Sequence, residues 1–538
     1  MTSLTKSFQY ASSDVGASPG VSLERGNYRM RAPNIRPLPA PFKGHAIPVR
    51  RSTQRRRNRR LAFLIMLLAA SCLSCFGYAY YLFSTRWAAR PITSLKFPTD
   101  SIAQATGSEL LLDRTQKYLS YLPHSGFHNQ RIAFENALLL AYALRRTLLV
   151  PPIRLSSKPI RYIEYDTLSR YHEISDKKGL KHCPQIPKFI SRPSECLHYF
   201  ESSFIPWTLL VNLSTVTAHQ ALYHLPNMSR SWIHANFDIG SNDFHTLRDI
   251  SAYQFRFVDD VNDPSPRGKY EIDVSFDQLN AIPEKLLQIG TLFGTGRLHL
   301  RNSGNLAYQA AIRQSMMFTN EMFSQAANSI ARVLQPSYLA VHIRAGDGLF
   351  QSIGEHTVNS TWWKILHDVL ALSIPDICKL ELSFGTQASS SCILGRAGSD
   401  SSTPTPIGSP KTLFSVPSPL ETDCMGNRYL KQQYHQLNVP LYVATDLSTP
   451  RTHPLLNIFR QTFPCIFFLE DFKSELAPLK QVTSPYDAVQ LYNFILPYVD
   501  ALVAGNALKV VGTEGSTFSK FIEDILWASK FYQGDASR

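Results

Sequence analysis

The sequence predicts an α/β protein made of two doubly wound blocks that face a cleft, preceded by a single transmembrane helix. Three observations carry this expectation. Strand-length apolar runs alternate with helical patterns in two separate stretches of the chain. An uncharged run, long enough to cross a bilayer, lies near the N-terminus. The positive charge is concentrated ahead of that run: residues 1–60 carry 13 Lys and Arg against 2 Asp and Glu, while the other 478 carry 42 against 39. A nucleic-acid-binding face on the folded part would keep its own positive excess, so no nucleic-acid partner is expected. Hydrophobic residues at 44% and charged residues at 18% exclude a mostly disordered chain, and the chain is too polar for a polytopic membrane protein.

The uncharged run is Leu61 to Phe83. At about 1.5 Å per residue, a helix of this length matches a hydrocarbon core of roughly 30 Å. Tyr78, Tyr80, Tyr81 and Trp87 cluster at its far end, and seven arginines from Arg50 to Arg60 precede it. The positive-inside rule then leaves a basic, largely disordered tail (1–60) in the cytosol, a signal anchor at 61–83 and the remainder in the lumen of the ER or Golgi. That remainder divides into a stem (84–110), an N-terminal Rossmann-like block (111–330) and a C-terminal one (331–538). Two features agree with a lumenal body. The sequons at Asn212, Asn227 and Asn359 all lie beyond the span, and so do six of the eight cysteines. Cys183 with Cys196 is the expected local disulfide; the other four cannot be paired from sequence. Cys72 and Cys75 fall inside the span, where lipid-facing packing or palmitoylation is the expected role.

The first block opens with a strand over Lys117 to Pro123, a polar turn, a helix from Gln130 to Arg146 and a second strand over Thr147 to Ile153. Ala133, Ala137, Leu140, Ala141 and Leu144 form the apolar face of that helix. This β-α-β unit requires a parallel sheet with a right-handed crossover. Residues 154 to 330 read only as mixed α/β. The second block has strands at Tyr338 to Arg344, Val439 to Asp446, Cys465 to Leu469 and Leu508 to Gly512. Its helices are expected near Pro454 to Thr462, Tyr486 to Val503 and Phe518 to Trp527. A Ser/Pro/Gly-rich insertion at 385–420 is too poor in apolar residues to pack, and is read as a disordered surface loop.

Four places offer chemistry. The turn His124 to Asn129 follows a strand and opens a helix, so its N–H groups face whatever lies above; Gly126 permits close approach and Asn129 can bond a ligand. An ordinary capped turn is the competing reading. In Val341 to Asp347 (VHIRAGD), strand periodicity sends His342 and Arg344 to one face. Arg344 is a permanent, planar cation suited to a pyrophosphate, or else the partner of Asp347 in a structural ion pair. In Gly512 to Ser519 (GTEGSTFS), Ser516 and Thr517 cap a helix and present hydroxyls and N–H groups to an anion. Asp446, at a strand end, can accept bonds from a ribose or base, or simply serve helix entry. No D-x-D pair occurs, so a metal-free mechanism is expected; no cofactor is expected either. Two blocks, each aiming an anion-binding turn at a cleft, suggest a nucleotide diphosphate between them.

Taken together, PHSGFHNQR (Pro123 to Arg131) with RTLLVPP (Arg146 to Pro152), YLAVHIRAGD (Tyr338 to Asp347), YVATD (Tyr442 to Asp446) and GTEGSTFS resemble the GDP-fucose protein O-fucosyltransferase family. The resemblance implies a GT-B fold and a metal-independent, inverting transfer of fucose from GDP-fucose to a protein or glycan hydroxyl. It implies that Arg344 holds the β-phosphate and assists the leaving group. It also implies donor contacts from Phe127, Asn129, His342, Asp446, Ser516 and Thr517, with Gly126, His128 and Asp347 in the same motifs. Two residues depart from the family pattern. Ser125 stands where some members place a glutamate base, and His128 stands where relatives often carry glycine or another small or apolar residue. The first departure leaves open a catalytically inactive nucleotide-sugar-binding protein; a transferase using another sugar nucleotide is the third reading.

Overall fold

The computed structural model describes residues 62–77, 116–384, 424 and 428–532, apart from 175, 176, 178, 188, 227, 335 and 336. The insertion at 385–420, the stem and the whole basic tail lie outside the described residues. The chain divides into two compact units, residues 1–98 and 99–538.

In the first unit the described residues form one helix, 62–77, with its apolar side chains exposed, Phe63, Met66 and Phe76 among them. Among the described residues no helix is long and apolar enough to cross a membrane. The rest of the expected span, Leu61 and 78–83, is outside them.

Among the described residues the second unit holds three parallel sheets, of which two position the site. In the N-terminal part, β1 (Tyr118–Tyr121), β2 (Thr147–Val150), β3 (Leu222–His224), β4 (Phe244–Leu247) and β5 (Leu286–Ile289) lie in the order β3-β2-β1-β5-β4. Each pairing is parallel, with Tyr118 beside both Thr147 and Leu286. In the C-terminal part, β6 (Leu339–Ile343), β7 (Leu441–Thr445), β8 (Ile466–Phe467) and β9 (Lys509–Gly512) lie in the order β8-β7-β6-β9, again all parallel. In both sheets the order reverses beside the first strand, between β1 and β5 and between β6 and β9. Open α/β sheets bind ligands at this switch point, outside the carboxyl ends of the strands.

Five helices matter below: α1 (Phe127–Ala143), α2 (Glu321–Leu334), α3 (Gly354–Lys364), α4 (Tyr492–Gly505) and α5 (Thr517–Phe521), the last continuing as a π turn over Ile522–Trp527. The strand periodicity of β6 holds. Leu339, Val341 and Ile343 join one apolar cluster with Trp362 and Phe459, while His342 turns to the opposite side. Each of those three is at most 1% exposed, and full burial of such a side chain contributes about 1.5–3 kcal/mol.

Several boundaries differ from expectation for identifiable reasons. The α1 helix begins at Phe127 rather than Gln130, so Phe127, His128 and Asn129 form its first turn. It is buried on every side from Gln130 to Ala141, not along one stripe, because the sheet covers one face and the C-terminal part another. Its polar residues are accordingly partnered: Gln130 donates to the carbonyls of Ser125 and Arg154, and Asn136 to those of Leu292 and Gly294. The second strand stops at Val150, and after Pro151–Pro152 a separate strand, Ile153–Ser156, pairs antiparallel with Ser202–Ile205; proline has no N–H to continue the ladder. Helix α4 starts at Tyr492, not Tyr486. Cys183–Cys196 is a disulfide as expected, Cys424–Cys465 is a second, and Cys378 is also disulfide-bonded.

Candidate functional site

The carboxyl ends of β6 and β9 are stitched into one polar unit. The Arg344 N–H donates to Thr513 Oγ1 at 3.0 Å, and Thr513 Oγ1 donates to the His342 carbonyl at 3.0 Å. Ser519 Oγ accepts from the Thr513 N–H at 3.0 Å and lies 2.7 Å from His342 Nδ1. Ser516 caps α5 by accepting from the Ser519 N–H at 3.2 Å. His342, Ser516 and Ser519 are buried, so these bonds spare groups that would otherwise cost about 1–3 kcal/mol each. When the Ser519 hydroxyl donates to Nδ1, the ring proton sits on Nε2, which has no partner among the described residues. Burial, followed by the nearby Arg344 charge, lowers the His342 pKa to about 3, so the ring is a neutral donor at pH 7. The unit needs Gly512: a Cβ there would stand 2.5 Å from Ser519 Cβ.

Arg344 leaves the end of β6 and is held on one side. Its Nη2 and Nε donate to Asp347 Oδ1 at 2.9 and 3.2 Å, and its guanidinium lies 5.2 Å from the Phe350 ring. The structural ion pair considered from sequence therefore exists. It is exposed on the Asp347 side, so it orients the cation more than it stabilises the fold. Nη1 has no partner among the described residues. Asp446, at the end of β7, accepts from the N–H groups of Ala345 and Gly346, both at 2.9 Å. That oxygen shapes the Arg344 loop, and Gly346 permits the approach, since a Cβ there would meet the Asp446 carbonyl at 2.6 Å.

The N-terminal turn comes to the same place. His128, on the first turn of α1, stacks on Phe518 of α5 with ring centroids 3.9 Å apart, and Phe518 in turn lies 4.7 Å from His342. Phe127 packs edge-on to Tyr498 of α4 at 4.7 Å, and the Arg131 guanidinium lies 4.7 Å from the Phe521 ring. His128 is 8% exposed and neither ring nitrogen has a hydrogen-bond partner. Burial and then the charges of Arg131, His342 and Arg344 hold its pKa well below the usual histidine value. Gly126 and the half-buried Asn129 lie on the open side of this turn.

Thus Phe127, His128, His342, Arg344, Ser516 and Thr517 are brought to one junction, with Asp446 and Asp347 shaping its rim. Beside it lies a cavity of about 410 Å³, lined by His342, Asp446, Lys473, Tyr492, Asp500 and Phe518. Asp500 was not anticipated. It sits in α4, accepts from the Tyr442 hydroxyl at 2.5 Å, and burial pushes its pKa up to about 7. Nothing in the apolar pattern around it marks it, because its partner Tyr442 is 58 residues away. Phe518, Thr513 and Ser519 were inside the quoted motif but had no role assigned. Of the sequons, Asn212 is exposed, Asn359 is half-buried on α3 with Thr361 buried, and Asn227 is outside the described residues.

Residues 118–366 match the family model described as GDP-fucose protein O-fucosyltransferase, so the resemblance carried by the first two motifs holds over that stretch. O-fucosyltransferase 30 of Arabidopsis thaliana is 37% identical over 92 residues, 16% of this chain and 18% of that protein. The chain thus matches less than a fifth of the length of that relative. Among solved structures, POFUT1 in complex with GDP-fucose is 12% identical with a TM-score of 0.31, covering 76% of this chain and 94% of that one. POFUT1 in complex with GDP is 13% identical with a TM-score of 0.30 over the same shares.

Proposed function

We propose, from the family match and the geometry of the junction, that this chain is a glycosyltransferase of GT-B architecture. It moves fucose from GDP-fucose to a hydroxyl of a protein or glycan, inverting the anomeric centre and using no metal. The observation that carries this reading is the meeting of the two switch-point turns through the His128–Phe518 stack, with Arg344 and the Ser516-capped end of α5 beside it. A diphosphate there would take the free Arg344 Nη1, the His342 Nε2–H and the N–H groups that open α5. All three are donors fixed in place before the charge develops, and such donors stabilise a departing GDP without reorganising. The adjoining cavity, with its carboxylates Asp446 and Asp500, is the place for the nucleoside. The test is release of the nucleoside diphosphate, GDP or UDP, from a panel of GDP- and UDP-sugars. GDP-fucose should give the fastest turnover; a UDP-sugar preference overturns the donor assignment, and binding without turnover supports the inactive alternative.

We propose further that the body lies in the lumen of the ER or Golgi, behind a type II anchor at 61–83. The basic tail supports this orientation, and the disulfide-bonded cysteines support an oxidising compartment. Protease treatment of intact microsomes should remove only the N-terminal tail; digestion of the body would refute the topology.

A further inference from the structure

The turn before α1 contains a hydrogen-bonded chain that the motif comparison does not assign. His124 Nδ1 lies 2.7 Å from Ser125 Oγ, and His124 Nε2 lies 2.6 Å from Thr291 Oγ1 on the loop after β5. Thr291 Oγ1 also accepts from the Phe293 N–H at 3.1 Å, and the Thr291 N–H donates to Asp249. A second lone pair on Thr291 Oγ1 remains for the His124 Nε2–H. That tautomer leaves Nδ1 open to accept from the Ser125 hydroxyl. Ser125 is half-buried while His124 is 4% exposed, so only the serine end of the chain reaches the opening.

Ser125 also holds a backbone conformation that side chains avoid, with φ at +68°. Strain of this kind persists only where its surroundings impose it. Here the Ser125 N–H donates to the Ile160 carbonyl, and its own carbonyl accepts from Gln130. Both backbone groups are pinned, and the hydroxyl is aimed at the imidazole. The same turn carries His128, two residues beyond Gly126, which packs on the junction with Phe518.

We infer that Ser125 and His124 form the proton-accepting pair of the transfer reaction, with Ser125 as the catalytic residue and His124 acting through it. This rests on the fucosyl-transfer reading above. As the acceptor oxygen bonds to the anomeric carbon, the bond from that carbon to GDP breaks and GDP leaves with the electron pair. The acceptor proton passes to Ser125 Oγ, whose own proton moves to His124 Nδ1; the imidazolium later returns it to water. Serine alone is no base at neutral pH, and the buried ring alone is out of reach, so neither suffices without the other. The groups facing His124 are His172, Arg297 and the Tyr162 and Phe293 rings. Burial first, then His172 and Arg297, lower its pKa to about 4, close to that of a carboxylate.

The test uses the full chain, GDP-fucose and water as the acceptor, reading released GDP, with GDP affinity and melting temperature measured alongside. Ser125→Ala should lower turnover by about 10²–10⁴-fold while GDP affinity and melting temperature stay put. The wild-type rate should fall as pH drops through about 4, and the Ser125→Ala rate should show no such limb. In a His124→Asn background, Ser125→Glu should restore turnover at least tenfold, because a carboxylate at that position accepts the proton directly. Turnover by Ser125→Ala within threefold of wild type, or an unchanged acid limb, overturns the pair. If the wild type releases no GDP while binding it, the transfer reading itself falls, and this pair with it.

Discussion

Two histidines meet across the junction and are treated in opposite ways. His342, at the end of β6, is bonded to Ser519, which is bonded in turn to Thr513. His128, on α1, is as well buried but has no partner for either nitrogen, and is held by its stack on Phe518. The C-terminal turn is therefore a finished polar network that presents a few chosen donors. The N-terminal turn leaves more open, with a strained serine, the unpartnered His128 imidazole and an exposed glycine. A built donor platform facing an adaptable partner suits a site in which one side grips a diphosphate and the other admits an acceptor.

The contrast can be broken most severely at Arg344. Arg344→Ala should cut GDP-fucose turnover by about 10²–10³-fold, the scale for losing a fixed donor to a developing charge. Its melting temperature should barely move, since the pair with Asp347 is exposed. Next comes the platform. Gly512→Ala drives a Cβ into Ser519 and should destabilise by about 1–3 kcal/mol in chemical denaturation. His342→Phe removes a bonded ring and should cost about 1–3 kcal/mol. His128→Phe replaces a ring that bonds nothing, and should be neutral or slightly stabilising. Equal losses for the two phenylalanine variants would erase the contrast.

The buried histidines set an acid response. Unfolded, each takes a proton near pH 6.5; folded, His342 does so near 3, and His124 and His172 near 4. Between about 6.5 and 4 the unfolded chain binds more protons, so this contribution is fully present above 6.5 and is lost as pH falls. Thermal melts at pH 7.5 and 5 should show the drop, and His128→Phe should make it shallower.

Most of the architecture could be read from pattern. Alternation along β6 correctly separated Leu339, Val341 and Ile343 from His342, because a parallel central strand buries both faces and a polar residue there needs a partner. The parallel β1–β2 pairing followed from the β-α-β unit. What escaped reading depends on groups distant in sequence. Thr291 reaches His124 across 167 residues, and Tyr442 reaches Asp500 across 58; neither local spacing nor periodicity encodes such meetings. Ser125 was read only as a missing glutamate, since neither its bond to the neighbouring His124 nor its positive φ is announced by residue type.

The central claim is that the C-terminal turns grip one diphosphate at the junction that the N-terminal turn lines. A crystal structure of the chain with GDP tests it most directly. Phosphate oxygens should lie within about 3.2 Å of the Arg344 guanidinium and of an N–H at the start of α5, with Asn129 or Phe127 lining the same pocket. GDP bound outside the junction, with Arg344 still engaged only by Asp347, would contradict the account.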